Sequence, residues 1–104
     1  MNLPQRGEVW LADLGMTAKV RPVLVLSMPF ADGDYALFHI VPHTTAARGS
    51  QFEVNIKTGF LQPGVFNVQG SQSVPRSNLL RSLGTLTRDQ LAHVENSFRR
   101  WLKL

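Results

Sequence analysis

No cysteine occurs among the 104 residues. Disulfides, thiolate nucleophiles, iron–sulfur clusters and cysteine-type zinc sites are therefore excluded. Charge is also scarce: Asp, Glu, Lys and Arg make up 17% of the chain, against about 25% in an ordinary globular domain. With 43% hydrophobic residues, this is a folding composition rather than a disordered one. No apolar stretch reaches the roughly 18 residues that a membrane-spanning helix needs. Residues 1–6 contain no apolar run, which argues against a signal peptide, and the expectation is a cytoplasmic protein. Internal repeats, low-complexity tracts and linkers are missing. So are the Gly-x-Gly-x-x-Gly fingerprint, a phosphate-cradling loop ending in Gly-Lys-Ser/Thr and a Gly-x-Ser-x-Gly elbow, which removes the common dinucleotide, nucleotide and α/β-hydrolase readings.

What is present is enough for one domain, residues 1–104, and for no separate substrate domain. A site in so small a fold belongs on the surface, in loops, or in a groove between two copies. The net charge is +4 and the isoelectric point about 10.4, which points toward a polyanionic partner. The distribution weakens that pointer. Residues 1–60 hold five basic and five acidic groups, whereas residues 61–104 hold six basic against two acidic.

The first three-quarters of the chain read as short strands. Glu8–Leu14 is rich in strand formers. Arg21–Ser27 is a nearly continuous apolar run of strand length, so both its faces should be covered, with Pro22 near its start. Tyr35–Val41 alternates and is expected to end at Pro42. Gln51–Ile56 alternates with Phe52, Val54 and Ile56 inward. Val65–Val74 is extended, with Gly70 marking a bulge or a close approach. Leu79–Leu86 should begin as a helical turn and then extend. The remaining segments, Gly15–Val20, Thr44–Ser50 and Gly59–Gly64, are loops. Thr87 and Gln90 form a capping box, and Leu91, Val94, Phe98 and Trp101 make an apolar stripe at helical spacing. Arg99, Arg100 and Lys103 then suit the negative end of that helix. About five strands and one terminal helix predict a mainly β fold, a small barrel with a docked helix.

No metal site is expected. His39 and His43 are four residues apart on a strand, a span of about 13 Å, too far for one ion. Placement is more informative. Arg21 opens the most apolar strand, and Thr44 and Thr45 follow directly where the third strand stops. If those strands pair, a guanidinium, hydroxyls and His43 gather at one end of a sheet. The plain alternative is a loop arginine and two turn threonines.

Three blocks carry a resemblance: Arg6-Gly7-Glu8-Val9-Trp10-Leu11-Ala12-Asp13-Leu14, Arg21-Pro22-Val23-Leu24-Val25-Leu26-Ser27 and Ile40-Val41-Pro42-His43-Thr44-Thr45. Together with the closing Leu83-Gly84-Thr85-Leu86-Thr87 and its helix, they resemble the MazF/PemK family of bacterial toxins, over most of the chain. The resemblance implies an SH3-like, CcdB-type barrel that forms a homodimer. It implies a metal-independent, ribosome-independent endoribonuclease, without cofactor, that cuts single-stranded mRNA through attack of a 2′-hydroxyl. The products are a cyclic phosphate and a 5′-hydroxyl. A cognate antitoxin protein would block the RNA groove. The family's catalytic Arg and Thr match Arg21 and Thr44.

Those residue types suit the chemistry. A phosphorane-like transition state gathers negative charge, which a guanidinium and a hydroxyl donor stabilise. Arg, with a pKa above about 12, is a poor general base, so Arg21 reads as a charge stabiliser. His43 is a candidate acid–base group, provided a kink at Pro42 brings it to the side of Thr44; the competing reading is a strand-end His that contacts RNA or faces solvent. Candidate RNA contacts are Lys19, Thr45, Arg48, Lys57 and Arg76, with Phe30 or Phe60 as a base-stacking ring; the plain alternatives are solvated loop charges and buried rings. Two other functions fit the same residues. One is a toxin that inhibits gyrase by protein binding, as CcdB does. The other is an SH3-like module that binds RNA without cutting it.

Overall fold

A computed structural model describes residues 3–15 and 19–104. The middle of the first expected loop, Met16–Ala18, and the first two residues of the N-terminal segment lie outside it.

Among the described residues seven strands precede one α-helix: β1 (Glu8–Asp13), β2 (Val20–Val25), β3 (Leu37–Thr44), β4 (Glu53–Val54), β5 (Val65–Asn67), β6 (Gln72–Pro75) and β7 (Leu79–Thr85), then α1 (Arg88–Leu102). All pairings are antiparallel, in the order β4-β5-β3-β2-β1-β7, with β6 also on β3. The fold is mainly β with a C-terminal helix, as expected, but the barrel's hydrogen-bonded ladder does not close. Between β7 and the β4–β5 connection the gap is filled by a side chain instead. Phe60 lies so close over Gly84 that a Cβ there would fall 2.6 Å from its ring.

The central strands are covered on both faces, which explains their continuous apolar composition. Alternation sends Val9, Leu24, Val41 and Phe66 to one core with Val68, Leu86 and Val94. It sends Trp10, Ala12, Val23, Val25, Phe38 and Ile40 to a second core with Val74 and Leu79. Each fully buried aliphatic or aromatic side chain contributes about 1.5–3 kcal/mol of transfer free energy, so the two cores hold the sheet from both sides. Helix α1 closes the first core. Its capping box is complete, with Thr87 accepting from the Gln90 backbone and the Gln90 side chain accepting from Thr87. Val94 is buried, and Leu91, Phe98 and Trp101 pack against the core. Arg6 and Glu95 form an ion pair between the N-terminal segment and the helix. Among the described residues no helix is long and apolar enough to cross a membrane.

Four expectations change. The segment 65–74 is not extended throughout: a helical turn at Val68–Gly70 separates β5 from β6. β3 does not end at Pro42 but runs through it to Thr44. Pro42 sits opposite Val23 at the last paired position with β2, where losing one N–H costs the ladder little. The expected strand 51–56 is paired only at Glu53–Val54, because Phe52 already belongs to a turn. The 79–86 segment is strand from its first residue. The helical turn lies just before it, at Arg76–Asn78.

Candidate nucleic-acid groove

The β2–β3 register sets the geometry. Val25 pairs with Ile40, Leu24 with Val41 and Val23 with Pro42. Arg21 and Thr44 each lie two residues beyond that last pair, at the same end of the two strands, and both line one groove. Both belong to the face that carries Val23 and Ile40. On the other side of β3, Thr44 pairs with Val65, and Glu53 of β4 pairs with Asn67 of β5. Arg21, Thr44, Asn67 and Glu53 thus come to one side of the sheet. With Pro42, Ala46, Arg48, Ser50, Gln69 and Gly70 they line a groove of about 420 Å³.

Each wall has a local cause. Thr44 is half-buried, and its Oγ1 accepts from the Ala46 backbone N–H at 3.1 Å, a turn that fixes the hydroxyl oxygen and leaves its proton to donate. The segment after it folds back because the Glu53 carboxylate accepts three successive backbone N–H groups. These come from Arg48 at 2.9 Å, Gly49 at 2.7 Å and Ser50 at 3.0 Å. Those bonds, led by the one from Arg48, hold the Glu53 carboxyl below its ordinary pKa despite some desolvation, and the Arg48 charge adds to the effect. The hydroxyl of Ser50 donates to Gln69 Oε1 at 2.9 Å and joins the two walls. Gly70 is a close approach, as its place in the sequence suggested. A Cβ there would lie 2.9 Å from the Asn67 side-chain nitrogen and 3.2 Å from the Pro42 ring.

Of the residues singled out in the sequence, the groove brings together Arg21, Thr44 and Arg48. His43 is elsewhere. Its side chain is 3% exposed and packs edge-to-face on Phe66, a member of the helix-side core, with ring centroids 5.0 Å apart. No kink at Pro42 turns it, since β3 alternates straight through that residue. Burial lowers the His43 pKa, and Nε2 has no hydrogen-bond partner among the described residues. Lys19 is exposed in the β1–β2 turn, with φ +57°, its N–H donating to the Gly15 carbonyl at 2.6 Å. Thr45 is exposed beside the groove without lining it. Lys57 lies on the loop after β4, where its carbonyl accepts from Gln90 Nε2 at 3.1 Å. Arg76 is not a free loop cation. Its guanidinium lies 5.0 Å from the Trp10 ring centroid and donates to the Leu79 carbonyl at 2.6 Å. Phe30 stacks edge-on with Phe38, and Phe60 covers Gly84, so both serve packing.

Glu53, Asn67, Ser50 and Gln69 escaped the sequence reading. Alternation of Phe52, Val54 and Ile56 already placed Glu53 on the opposite face. What it lacked was any sign that this face lines a groove.

Residues 5–102 match the family described as PemK-like, MazF-like toxin of type II toxin-antitoxin system, and the chain belongs to that family. Solved structures agree. MazE-MazF (Form-I) from Deinococcus radiodurans is similar at 29% identity and TM-score 0.79, covering 100% of both chains. The Mycobacterium tuberculosis toxin MazF-mt6 is similar at 27% identity and TM-score 0.78, over 93% of this chain and 97% of that one. An endoribonuclease in complex with its cognate antitoxin, from a mycobacterial species, shares the fold. It has 24% identity and TM-score 0.83, over 98% of this chain and 97% of that one. Among curated proteins no match is found.

Proposed function

We propose that this toxin is a metal-independent, ribosome-independent endoribonuclease that cleaves single-stranded mRNA in the Arg21–Thr44 groove. The observation that carries this reading is the meeting of a guanidinium and an oriented hydroxyl in one open, polar groove. The 2′-oxygen of one nucleotide attacks the adjacent phosphorus, and the bond from phosphorus to the 5′-oxygen breaks. The 2′-proton leaves to water, and the departing 5′-oxygen takes a proton from water. A 2′,3′-cyclic phosphate and a 5′-hydroxyl result. Arg21 stabilises the charge that develops on the non-bridging oxygens, and the Thr44 hydroxyl donates to the same group. Arg48, on the loop wall, meets a neighbouring phosphate.

Neither His43 nor Glu53 serves as the base in this scheme. His43 is buried on the other side of β3. The Glu53 oxygens are engaged by three N–H groups, and its low pKa makes it a weak proton acceptor. MazF is solved with MazE in the Deinococcus relative. By likeness, a cognate antitoxin covers the groove of this chain, and two copies form the toxin dimer. Lys19, Thr45 and Lys57 remain outer RNA contacts in this proposal, on the rim or beyond it.

The test is incubation of the purified protein with a long single-stranded RNA in EDTA. Cyclic-phosphate ends that vanish in Arg21→Ala are the expected result. Intact RNA that is bound but never cut sinks the nuclease and leaves an RNA-binding module. Intact RNA with gyrase inhibited leaves the CcdB-like alternative.

A further inference from the structure

The loop that carries Arg48 has no strand partner of its own between Thr45 and Phe52. Three successive N–H groups, from residues 48, 49 and 50, converge on one carboxylate. Such a concave run of N–H groups is an anion nest, and a residue in a left-handed conformation is one way to form it. Gly49 supplies it, with φ +93°. Space is not the reason for a glycine there, since a Cβ would meet nothing within 4 Å. The nest is filled from within by Glu53, itself locked at the head of β4 opposite Asn67. Charge-assisted bonds of this kind are about twice as strong as neutral ones. The same turn is tied to the far wall through Ser50 and Gln69.

We infer that Glu53 is a positioning residue, whose carboxylate clamps the nest at residues 48–50 so that Arg48 is held against the groove for a phosphate of the bound strand. The inference rests on the groove being the RNA site proposed above. It runs against simple electrostatics. A carboxylate lining a phosphate groove repels its ligand, so by charge alone removing Glu53 should tighten binding. As a clamp, Glu53 does the opposite: its loss frees the loop, and ordering Arg48 again costs conformational entropy at each binding event.

The experiment measures binding rather than cleavage, so that the two proposals fail separately. The probe is a labelled, random-sequence pool of fully 2′-O-methylated single-stranded RNA, which lacks the attacking hydroxyl. Its Kd is followed across a range of salt for the wild type, Arg21→Ala, Arg48→Ala, Glu53→Ala and the Arg48→Ala/Glu53→Ala double variant. Arg48→Ala is expected to weaken binding several-fold and to flatten the salt slope by about 0.7, one single-strand phosphate contact. Glu53→Ala is expected to weaken binding and flatten the slope to a similar degree, and the double variant to be no weaker than Arg48→Ala. Glu53→Ala that binds as the wild type or more tightly, or effects that multiply in the double variant, overturns the inference. If Glu53→Ala does not fold, Gly49→Ala replaces it: it spoils the nest through φ while leaving every charge in place, and the same loss is expected. Unchanged binding in Arg21→Ala, Arg48→Ala and Glu53→Ala alike sinks the groove as the RNA site, and this inference with it. A pool bound with the expected pattern by a protein that cuts no RNA sinks only the nuclease and supports the clamp.

Discussion

Arg21 and Thr44 come from neighbouring antiparallel strands, lie on one face of the sheet, and line the same groove. Each lies two residues past the last β2–β3 pair, Val23 with Pro42. Removing the guanidinium should therefore remove charge stabilisation without disturbing either core. Arg21→Ala is expected to lower RNA cleavage about 10²–10³-fold, the usual cost of one preorganised transition-state donor. Circular dichroism should stay near the wild type. Arg21→Lys keeps the charge but loses the planar fork, and should recover only part of the rate. A rate in Arg21→Ala equal to the wild type would take Arg21 out of the chemistry.

Thr44 offers a finer separation. Its Oγ1 is already used as an acceptor from Ala46, so the hydroxyl proton is the part left for substrate. Thr44→Ser retains that turn and that proton, whereas Thr44→Ala loses both. Loss of one neutral hydrogen-bond donor is worth about 1 kcal/mol, roughly fivefold in rate. The expected order of single-turnover rates is wild type, then Ser, then Ala. Equal rates for Ser and Ala would show that the hydroxyl does not act.

How much of this was legible in the sequence depends on range. The helix was readable because capping and the apolar stripe are local, and Thr87, Gln90 and Val94 sit within a few turns of one another. Arg21 and Thr44 were readable because each marks a strand end. The continuation of β3 through Pro42 was not, because a proline's cost depends on whether its N–H faces a partner, and that is decided by β2. The burial of His43 follows from the same fact: once β3 runs on, alternation carries His43 to the helix side. Arg76 looked like a free loop cation because the Trp10 ring reaches it only when β7 pairs with β1, although its other partner, the Leu79 carbonyl, is three residues away. Glu53 was invisible as a site residue for the opposite reason. Its three donors are close in sequence, but only the Gly49 backbone turns them inward.

Arg76 gives a contrasting prediction. Its guanidinium spans the Trp10 ring and the Leu79 carbonyl, which makes it a brace for the second core. Arg76→Ala should cost about 1–3 kcal/mol of stability in urea unfolding, from the lost charged hydrogen bond and cation–π contact. The salt dependence of RNA binding should not change. A flatter salt slope at unchanged stability would instead identify Arg76 as a phosphate contact.

The histidines set a pH dependence. Burial holds both His39 and His43 below the ordinary value of about 6.5. The unfolded chain then binds protons that the folded chain refuses. Stability is full above the unfolded pKa and falls as pH drops from there toward the folded pKa values. His43→Leu should flatten the fall of Tm between about pH 7 and pH 5, with the His39 part left in place. The pH–rate profile of cleavage should keep its shape, since His43 stands outside the groove. An altered profile would return His43 to the chemistry; an unaltered Tm slope would show that its burial is not coupled to protonation.

Gly64 connects packing to the groove. It has no positive φ, yet a Cβ would overlap the Thr44 carbonyl oxygen and approach the His43 ring to 2.8 Å. The backbone of β3 at Thr44 cannot yield without shifting its pairing with Val65. Gly64→Ala should therefore destabilise by about 1–3 kcal/mol, the range for overpacking a tight site. It should also move Thr44, so that kcat falls more than KM rises, because the hydroxyl is needed at the transition state rather than for holding the strand. Gly49→Ala acts on the opposite wall, and its loss should appear in RNA affinity instead. Single-turnover cleavage and anisotropy binding on the two variants resolve the pair. If Gly64→Ala lost affinity alone, Thr44 would be a binding contact and the hydroxyl's place in the transition state would fall.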